Sequence, residues 1–490
     1  MHRIRNPAYR FTCTEGSNPS LSANHSLVFL LNIVINPSRD FGKLKVYVVK
    51  IFFKAMLPFM FKEIQVSFLK ISAVTLAVSA LVATSAFAQD KNLSTLQRMG
   101  NTDTNMNIPT VPQEGKNADA IRANLKKIKL HEGFKIDLYA VVPDARYMAV
   151  APSTNMLFVG TRKTTVWAVT NRNNGDAATE VKPFAPAIKF SNPNGVCFTK
   201  DGFLVVAESN RMLHFPAAEY FYEGPDVAVG VIVPEGKMIP VEEQSFNHTG
   251  RVCKVANDGK IYVTLGQPYN VQPKEKVALY DEVGIGGVIR YNGLDGTGRM
   301  VYSKGMRNPA GLTIGPKGDI WTTDNQVDGW GDDIPPGELN KLTKAGEHFG
   351  FPFYNGKFKV AGSAAAPDLK DMKEPAGMIA PQIEFPAHQA QLGVAHYTGK
   401  AFPAKYQGGL FVASHGSWNR TVPSGYLINF IPVKADRNAG PSEVFADGFL
   451  DKTTNRALGR PVDVANLPDG SILISDDYAG AIYRISYTGQ

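Results

Sequence analysis

From residue 134 onward, short apolar stretches are separated by polar turns, in a pattern that predicts pairs of β-strands. In each pair, one apolar stretch ends at a turn, often Asp-Gly, and a second apolar stretch follows. Six pairs recur at spacings of roughly 50 to 90 residues. They are 147–150 with 157–159, 195–198 with 201–206, 250–253 with 258–263, 312–314 with 320–323, 393–395 with 409–412, and 462–464 with 469–474.

Six similar units, each too small to bury both of its own faces, predict sheets arranged radially around an axis. We therefore expect an all-β chain that folds as a six-bladed β-propeller over residues 131–490. An early apolar strand, 136–139, would close the last blade. A β-sandwich with appended domains is the alternative, but it does not account for six similar units.

The composition agrees with an all-β fold and excludes one class of partner. The chain has 45 glycines and 32 prolines, which suits a body with many turns. Its formal charge of +8 arises almost entirely in residues 1–88, which hold 10 of the 52 basic and 3 of the 44 acidic residues. The remaining 42 basic and 41 acidic residues nearly balance, so the charge gives no reason to expect nucleic-acid binding.

The N-terminal part has the pattern of an export signal. Lys62 and Lys70 precede an apolar run at 71–82, and Ala86-Phe87-Ala88 gives a cleavage pattern of small residues. We interpret 60–88 as a signal peptide of a periplasmic or secreted protein, without stable membrane insertion after cleavage. Residues 1–59 are interpreted as a non-native extension from a mis-assigned start, with a transmembrane segment near 27–35 as the alternative. Residues 89–130 are predicted to be a polar, exposed arm.

Three cysteines limit the redox chemistry. Cys13 lies in the leader, whereas Cys197 and Cys253 each follow a valine in neighbouring repeats. We expect these two to be buried core thiols, with a disulfide as the alternative. The chain has no Cys-x-x-Cys-His sequence, so no covalently attached haem is predicted.

Polar residues that suit ligand binding fall in the loops that enter and leave the innermost strands of the predicted blades. In a propeller, these loops meet at one end of the central channel. The set is rich in Arg, Asn and Asp and includes a candidate base, so it suits a flat polyanionic ligand and a hydroxylated substrate. Its members are Arg162, 192–194, His248, Arg307, Asn308, Asp324, Asn325, 415–420, Arg460 and 476–478.

Residues 130–490 resemble the soluble sugar dehydrogenases that depend on pyrroloquinoline quinone (PQQ), most closely their sorbosone and aldose dehydrogenase branch. The motifs that carry the resemblance are Gly-Phe-Lys-Ile (133–136), Pro-Asn-Gly-Val (193–196), Arg-Asn-Pro-Ala-Gly-Leu (307–312), Gly-Asp-Asp-Ile-Pro-Pro-Gly-Glu-Leu-Asn (331–340), His-Gly-Ser-Trp-Asn-Arg (415–420) and Arg-Pro-Val-Asp-Val (460–464). The resemblance implies a six-bladed propeller with PQQ over the channel and a calcium ion beside the quinone. It also implies an enzyme that oxidises a sugar and passes the electrons to a respiratory acceptor, either a quinone or a cytochrome.

The resemblance also assigns individual residues. His248 occupies the position of the general base, and Arg307 would stabilise negative charge that develops on the quinone. The implied PQQ-binding set is Arg307, Asn308, Asn325, Trp418, Arg420, Arg460 and Asp477.

Two positions depart from the better-studied glucose-oxidising members of the family. Gln267 stands where those members have an acidic residue that orients the base, and 415–420 stands where they have a lysine near the quinone. The orientation of His248 and the identity of the sugar therefore stay open.

The acidic loop that follows residue 323 suggests calcium. Asp324, Asp328 and Gly329 match an EF-hand in part, but Gln326 and Pro335 do not, so we do not predict an EF-hand. We expect calcium to be bound by Asp324, Gln326 and Glu338, with help from backbone carbonyls at 325–327. The alternative is a solvated acidic loop without a metal.

Two other functions are compatible with a propeller. A calcium-dependent lactone hydrolase would need carboxylates and Asn around a metal in the channel, whereas the predicted channel is dominated by Arg. A non-catalytic binding propeller would need neither His248 nor the arginines.

Overall fold

A computed structural model describes residues 108–489, apart from 174 and 225. The predictions for 1–107, which include the extension, the signal peptide, Cys13 and the first part of the arm, lie outside the described residues. Among the helices that are described, none has the length and apolar character needed to cross a membrane.

The chain folds as a six-bladed β-propeller, and each predicted strand pair forms the first two strands of one blade. Each blade is built on four antiparallel strands, and the sheets of blades 3 and 5 have a fifth strand. Blade 1 consists of β3 (Met148–Val150), β4 (Leu157–Val159), β5 (Val166–Thr170) and β6 (Glu180–Phe184). Blade 2 consists of β7 (Gly195–Phe198), β8 (Leu204–Ala207), β9 (Met212–Phe215) and β10 (Gly230–Val233). Blade 3 consists of β11 (Cys253–Val255), β12 (Ile261–Leu265), β13 (Gly287–Tyr291) and β14 (Met300–Lys304).

The second half of the ring repeats the arrangement. Blade 4 consists of β15 (Pro309–Ile314), β16 (Ile320–Asp324), β17 (Gly337–Leu342) and β21 (Ile383–Phe385). Blade 5 consists of β22 (Gln391–His396), β23 (Leu410–Ser414), β24 (Leu427–Ile431) and β25 (Glu443–Asp447). Blade 6 consists of β28 (Pro461–Asn466), β29 (Ile472–Asp476), β30 (Ala481–Tyr487) and the early strand β2 (Phe134–Val141), as predicted. The pairing of β2 with β30 joins the two ends of the propeller.

The first strands of neighbouring blades contact each other around the channel, and β28 of blade 6 contacts β3 of blade 1. Glycines allow this close approach. A Cβ atom at Gly195 would overlap the carbonyl of Arg251 on the next blade, and one at Gly311 would overlap the carbonyl of Leu392. The glycines of the repeat therefore bring the first strands close enough to form the ring.

The apolar core lies between the blades. The interface of blades 5 and 6 shows the pattern, since Phe402, Tyr406, Phe411 and Phe445 are buried there. Phe134 of β2 packs edge-on against three of these rings, all except Phe411. Alternating strand residues point towards the neighbouring blade, so each sheet buries both faces. Packing between blades thus fixes the positions of the loops at the channel end.

The prediction of an exposed arm up to residue 130 is wrong for its described part. Helix α1 (Lys116–Leu125) buries Ala118, Ile121 and Leu125, which are spaced on one helical face, against the core between blades 5 and 6. Strand β1 (Lys129–Leu130) then pairs with β25 as a fifth strand of blade 5. The polar composition of the segment hid this narrow apolar stripe.

The expectation of two free thiols is also wrong, because Cys197 and Cys253 form a disulfide. The two residues are 56 positions apart in the sequence but lie on β7 and β11, the first strands of neighbouring blades. Their Cα atoms are 5.9 Å apart, which is within the usual range for a disulfide.

Two insertions extend the regular blades. Helix α2 (Val277–Val283) lies between β12 and β13, and a long excursion follows β17. The excursion packs Phe351, Phe353 and Leu369 against Val277 of α2. The additional short strands are β18 (Glu347–His348), β19 (Tyr354–Asn355), β20 (Phe358–Lys359), β26 (Leu450–Asp451) and β27 (Arg456–Ala457).

Candidate functional site

Several of the predicted site residues, but not all, line cavities at the end of the channel where first strands begin and second strands end. Two adjacent cavities open there, and His248 and Asn308 line both of them. Cavity A has a volume of about 160 Å³ and is lined by His248, Arg307, Asn308, Asn325, Gln326, Asp328, Gly337, His388, Ala390, Gln391, Trp418 and Asn419. Cavity B has a volume of about 150 Å³ and is lined by Arg146, Tyr147, Arg162, Asn194, His248, Thr249, Gly250, Asn308, Ala310, Leu392 and His415.

His248 is held by its backbone and by one ring nitrogen. Its φ of 49° lies in the left-handed region, and its carbonyl accepts a hydrogen bond from the buried guanidinium of Arg251 at 3.2 Å. Its Nδ1 lies 2.5 Å from the carbonyl oxygen of Gln267. A carbonyl can only accept, so Nδ1 carries the proton and Nε2 keeps its lone pair.

This contact orients the His248 imidazole without an acidic residue at position 267. The backbone carbonyl of Gln267, not its side chain, bonds to the imidazole. The buried Gln267 side chain instead donates to the carbonyl of Tyr269 at 2.5 Å and so fixes the loop after β12. A glycine is required at position 266, next to Gln267, because any Cβ atom there would lie 2.8 Å from both the Cβ and the carbonyl oxygen of His248.

The imidazole of His248 is neutral near pH 7. Burial lowers its pKa to about 4, and the positive charge of Arg307 acts in the same direction. A neutral imidazole with Nδ1 protonated presents a proton acceptor at Nε2. His248 can therefore accept a proton from a hydroxyl group in the cavities.

Arg307 is buried in the wall of cavity A and is held by three loop residues. Its Nε donates to the carbonyl of Asn270 at 2.9 Å, and its Nη1 donates to the carbonyl of Asn325 at 3.2 Å. Its Nη2 donates to the side chains of Asn270 at 2.9 Å and Asp328 at 2.8 Å. These contacts use four of its five N–H groups, so the guanidinium has a fixed position and one N–H left for a ligand.

Asp328 connects the loops around cavity A, a role that the sequence did not reveal. Besides Arg307, its carboxylate accepts from Asn419 Nδ2 at 2.8 Å, and its backbone N–H donates to Asn270 Oδ1 at 2.9 Å. The loops of three blades therefore meet at one residue, two of them at its carboxylate and one at its backbone. The only sequence signal was the position of Asp328 in the acidic loop.

The wall of cavity A contains two buried oxygen atoms without a hydrogen-bond partner among the described residues. They are Asn325 Oδ1 and Gln391 Oε1. Buried oxygens of this kind normally accept from a ligand or water, or coordinate a cation. Asn325 was predicted from the sequence, whereas Gln391 and the neighbouring His388 were not.

Not all predicted cofactor residues reach the cavities. Asn308 and Trp418 line cavity A, but Arg420 and Arg460 line neither cavity. Arg420 instead donates to the carbonyl of Asp332 and to the carboxylate of Asp333. Arg460 donates to the carbonyls of His415 and Gly416.

Asp477 lies behind cavity B and holds two of the side chains that line this cavity. Its carboxylate accepts from His415 Nε2 at 2.8 Å and from Arg146 Nη1 at 2.6 Å. Burial alone would raise the pKa of Asp477, but these partners outweigh it and hold the pKa well below the usual range. Burial lowers the pKa of His415 to about 4, so this ring is also neutral near pH 7. Arg146 was not predicted as a site residue.

The predicted calcium ligands are only partly at the cavity. Gln326 lines cavity A, whereas the carboxylates of Asp324 and Glu338 are buried behind it as direct neighbours on β16 and β17. Burial raises the pKa of Asp324 to about 6 and, together with the charge of Asp324, raises that of Glu338 to about 8. Within the described part of the chain, no group of three or more His, Cys, Asp or Glu side chains is placed to hold a metal ion.

Comparison with known proteins agrees with the resemblance found in the motifs. Residues 237–419 match the family described as Glucose / Sorbosone dehydrogenase. The resemblance predicted from the sequence is confirmed. Residues 355–488 also match a family described as TrAA12-like. The family match supports an oxidoreductase of the sugar dehydrogenase type.

One curated relative is similar in sequence. It is a protein of Borreliella burgdorferi described as an uncharacterized protein, and it is 38% identical over 250 residues. The match covers 50% of this chain and 62% of that protein, so the chain spans less than two thirds of the relative.

Several solved structures share the fold at low identity. A Trichoderma reesei enzyme of carbohydrate-active family AA12 has a TM-score of 0.60 at 18% identity, over 74% of this chain and 98% of that chain. The PQQ domain of a Coprinopsis cinerea pyranose dehydrogenase, in its holo form, has a TM-score of 0.58 at 17% identity, over 73% and 97%. The PQQ-bound form of an aldose sugar dehydrogenase from Streptomyces coelicolor has a TM-score of 0.51 at 17% identity, over 73% and 99%. At this level of identity, the likeness shows the fold.

Proposed function

We propose that this protein is an exported sugar dehydrogenase that uses PQQ and calcium, with His248 as its general base. The observation that carries the proposal is the fixed tautomer of His248. A neutral imidazole whose Nε2 lone pair is available lies between two cavities at the channel end. The match of residues 237–419 to a sugar dehydrogenase family supports the same conclusion.

The proposed reaction oxidises the C1 hydroxyl of a cyclic sugar to a lactone carbonyl. His248 Nε2 takes the proton of the hydroxyl as the C1–H bond breaks and the C1=O bond forms. Bound PQQ would supply the two-electron acceptor that takes the hydride from C1. The fixed guanidinium of Arg307 would stabilise negative charge in cavity A without having to rearrange.

The residues at the cavities suit such a cofactor. Arg146, Arg162 and Arg307 provide positive charge for its carboxylates, and Asn308 and Trp418 provide polar and stacking contacts. The unpartnered oxygens of Asn325 and Gln391 would suit a calcium ion, together with the carboxylate of Asp328. Solved structures with this fold include PQQ-bound and calcium-bound forms of other proteins, which is consistent with both assignments.

Export and electron transfer complete the proposal. The signal peptide predicted at 60–88 and the Cys197–Cys253 disulfide both favour an oxidising compartment, that is, the periplasm or the exterior. An enzyme there would pass its electrons to a respiratory quinone or cytochrome. The lactone hydrolase is favoured less, because Arg146, Arg162 and Arg307 line the two cavities and residues 237–419 match a sugar dehydrogenase family.

The experiment uses purified mature protein with PQQ and calcium. We expect oxidation of aldoses coupled to an artificial dye, and a melting temperature that rises with both additions and falls again with EDTA. Protein without additions and protein with calcium alone are the controls. A folded protein that shows neither a shift nor dye reduction at saturating PQQ would contradict the proposal.

A further inference from the structure

Arg251 is a buried cation that no carboxylate neutralises. Its side chain is 2% exposed, and burial lowers the pKa of Arg251 to about 10. In the described part of the chain, no acidic side chain opposes this effect. A buried charge without a partner of opposite charge is costly, so an arginine at this position needs an explanation.

The guanidinium of Arg251 donates to two backbone carbonyls instead. Its Nη1 donates to the carbonyl of His248 at 3.2 Å, and its Nε donates to the carbonyl of Ser209 at 2.9 Å. Ser209 lies between β8 and β9 of blade 2, whereas His248 precedes β11 of blade 3. Arg251 therefore ties the backbone of the proposed base to the neighbouring blade.

A second contact from blade 2 holds the backbone of Arg251 itself, because Asn194 Nδ2 donates to the carbonyl of Arg251 at 3.0 Å. The imidazole of His248, by contrast, bonds to the carbonyl of Gln267 in blade 3. The backbone of His248 is thus held from blade 2 and its ring from blade 3. The direction in which Nε2 points depends on both anchors.

Hydrogen bonds to carbonyls alone do not account for a buried charge, since a glutamine amide could also donate to them. His248 has a φ of 49°, in a backbone region that residues other than glycine rarely adopt. A charge-assisted hydrogen bond is about twice as strong as a neutral one, so it suits a carbonyl that must hold this conformation. The positive charge of Arg251 also opposes protonation of the His248 imidazole.

We infer, on the basis of the proposed function, that Arg251 is a positioning residue, which holds the backbone of His248 so that Nε2 faces the hydroxyl group that loses its proton. Arg251 lines neither cavity, so it acts on the reaction through His248 and not by contact with a ligand. A reacting group that is displaced by about 1 Å can cost about a hundredfold in rate. The loss of Arg251 should therefore affect turnover more than affinity.

The test compares Arg251→Met and Arg251→Lys with the native protein, each loaded with PQQ and calcium. We expect Arg251→Met to lower kcat about tenfold or more and to leave KM for an aldose nearly unchanged, because the base moves and the cavity walls do not. Arg251→Lys keeps the charge but lacks the planar fork that reaches both carbonyls, so it should restore little of kcat. Arg299→Met is the matched control and should keep kcat, because Arg299 also donates to two backbone carbonyls, those of Met238 and Val283, but lines neither cavity.

Nitrogen NMR of the protein without PQQ gives a second readout that does not depend on turnover. Spectra with 15N-labelled histidine show which ring nitrogen carries the proton, and His248→Asn identifies the signal of His248. We expect Nδ1 to carry the proton in the native protein and both tautomers to be populated in Arg251→Met, because the ring loses its fixed contact. The pKa of His248 should rise in Arg251→Met and stay low in Arg251→Lys, since only the first variant loses a positive charge. Arg307 and Arg162, which also lower this pKa, are present in both variants.

Two results would overturn the inference and leave the proposed function intact. One is a native kcat in Arg251→Met, even if urea denaturation shows a loss of stability, because Arg251 would then be a structural residue. The other is a fixed tautomer of His248 in Arg251→Met. If Arg251→Met does not fold, a native kcat in Arg251→Lys would overturn the inference and a low kcat in folded Arg251→Lys would support it. If the native protein oxidises no sugar, the proposed function fails, whereas mixed tautomers in Arg251→Met would still support the positioning of His248 by Arg251.

Discussion

His248 owes its chemistry to its immediate surroundings. The left-handed backbone, the absent side chain at Gly266 and the carbonyl of Gln267 together place the imidazole and fix its tautomer. Burial and nearby arginines then keep it neutral. The side chain is thereby held as a neutral proton acceptor before any ligand binds.

We expect His248→Asn to reduce turnover by about a hundredfold or more, because the proton acceptor is lost. Asparagine tolerates the left-handed backbone, so the fold should be kept. Steady-state rates at saturating PQQ measure the effect, and the PQQ-induced shift in melting temperature should persist. The control is His415→Asn, which should change affinities more than turnover. Near-normal turnover in His248→Asn with collapse in His415→Asn would move the base to blade 5.

The pH dependence of kcat/KM gives an independent test of the same residue. Since the pKa of His248 is lowered to about 4, the imidazole stays deprotonated well below the ordinary histidine pKa of about 6.5. Activity should therefore persist through pH 6 and fall only at more acidic pH. If activity instead fell with a midpoint at pH 6.5 or above, the pKa of His248 would not be lowered in the working enzyme, or His248 would not be the base.

Strands β16 and β17 place two buried carboxylates side by side. Asp324 and Glu338 are directly opposite each other in this strand pair, so the two carboxylates repel each other when both are ionised. The hydrogen bonds that they accept, from the N–H groups of Arg307, Asn308 and Gly356, also shape the loops at cavity A. The pair thus links sheet register to the geometry of the site.

This pair predicts a stability that decreases with pH in calcium-free protein. The folded pKa of Glu338 is about 8, above the value of about 4.5 in the unfolded chain, so the folded state binds more protons between these limits. The free energy of unfolding should fall as pH rises from about 4.5 to about 8, by on the order of a few kcal/mol. In Glu338→Gln this slope should be much smaller, as measured by urea denaturation at several pH values. Glu275→Gln, at an exposed position, should keep the slope, and an unchanged slope in Glu338→Gln would contradict the assignment.

The ring as a whole is closed by two long-range connections. The early strand β2 completes the last blade, and the Cys197–Cys253 disulfide joins blades 2 and 3. The disulfide joins β7 to β11, and its Cys253 follows His248 by a few residues. Both connections restrain the loops that carry the site.

We expect replacement of both cysteines by alanine to lower the free energy of unfolding by roughly 2–5 kcal/mol, because the unfolded chain regains the freedom of a 56-residue loop. Chemical denaturation of the double variant and of the native protein measures the loss. Denaturing the native protein with a reductant should give a similar value. Equal stability of all three would mean that the disulfide contributes nothing to the fold.

The sequence by itself determined the fold class and part of the candidate site. Six apolar pairs with turns between them specified six blades, because each pair has too little surface to bury alone. Arg307 and Asn308 directly precede the first strand of blade 4, which places them at the channel end. His248 was found from its position shortly before the first strand of blade 3 together with the family resemblance. The closing role of 136–139 followed from the same pattern.

Only the tertiary structure decided which of the candidate groups meet. Cys197 and Cys253 are 56 residues apart in sequence, and their pairing depends on the register of two neighbouring blades. Arg420 and Arg460 carry suitable chemistry, but their partners, such as Asp333 and the carbonyl of Gly416, come from distant loops and draw them away from the cavities. The roles of Asp328 and of the carbonyl of Gln267 depend on contacts between loops, which local sequence does not encode. Local patterns specify strands and turns, whereas hydrogen-bond partners across the ring are set by how the blades pack.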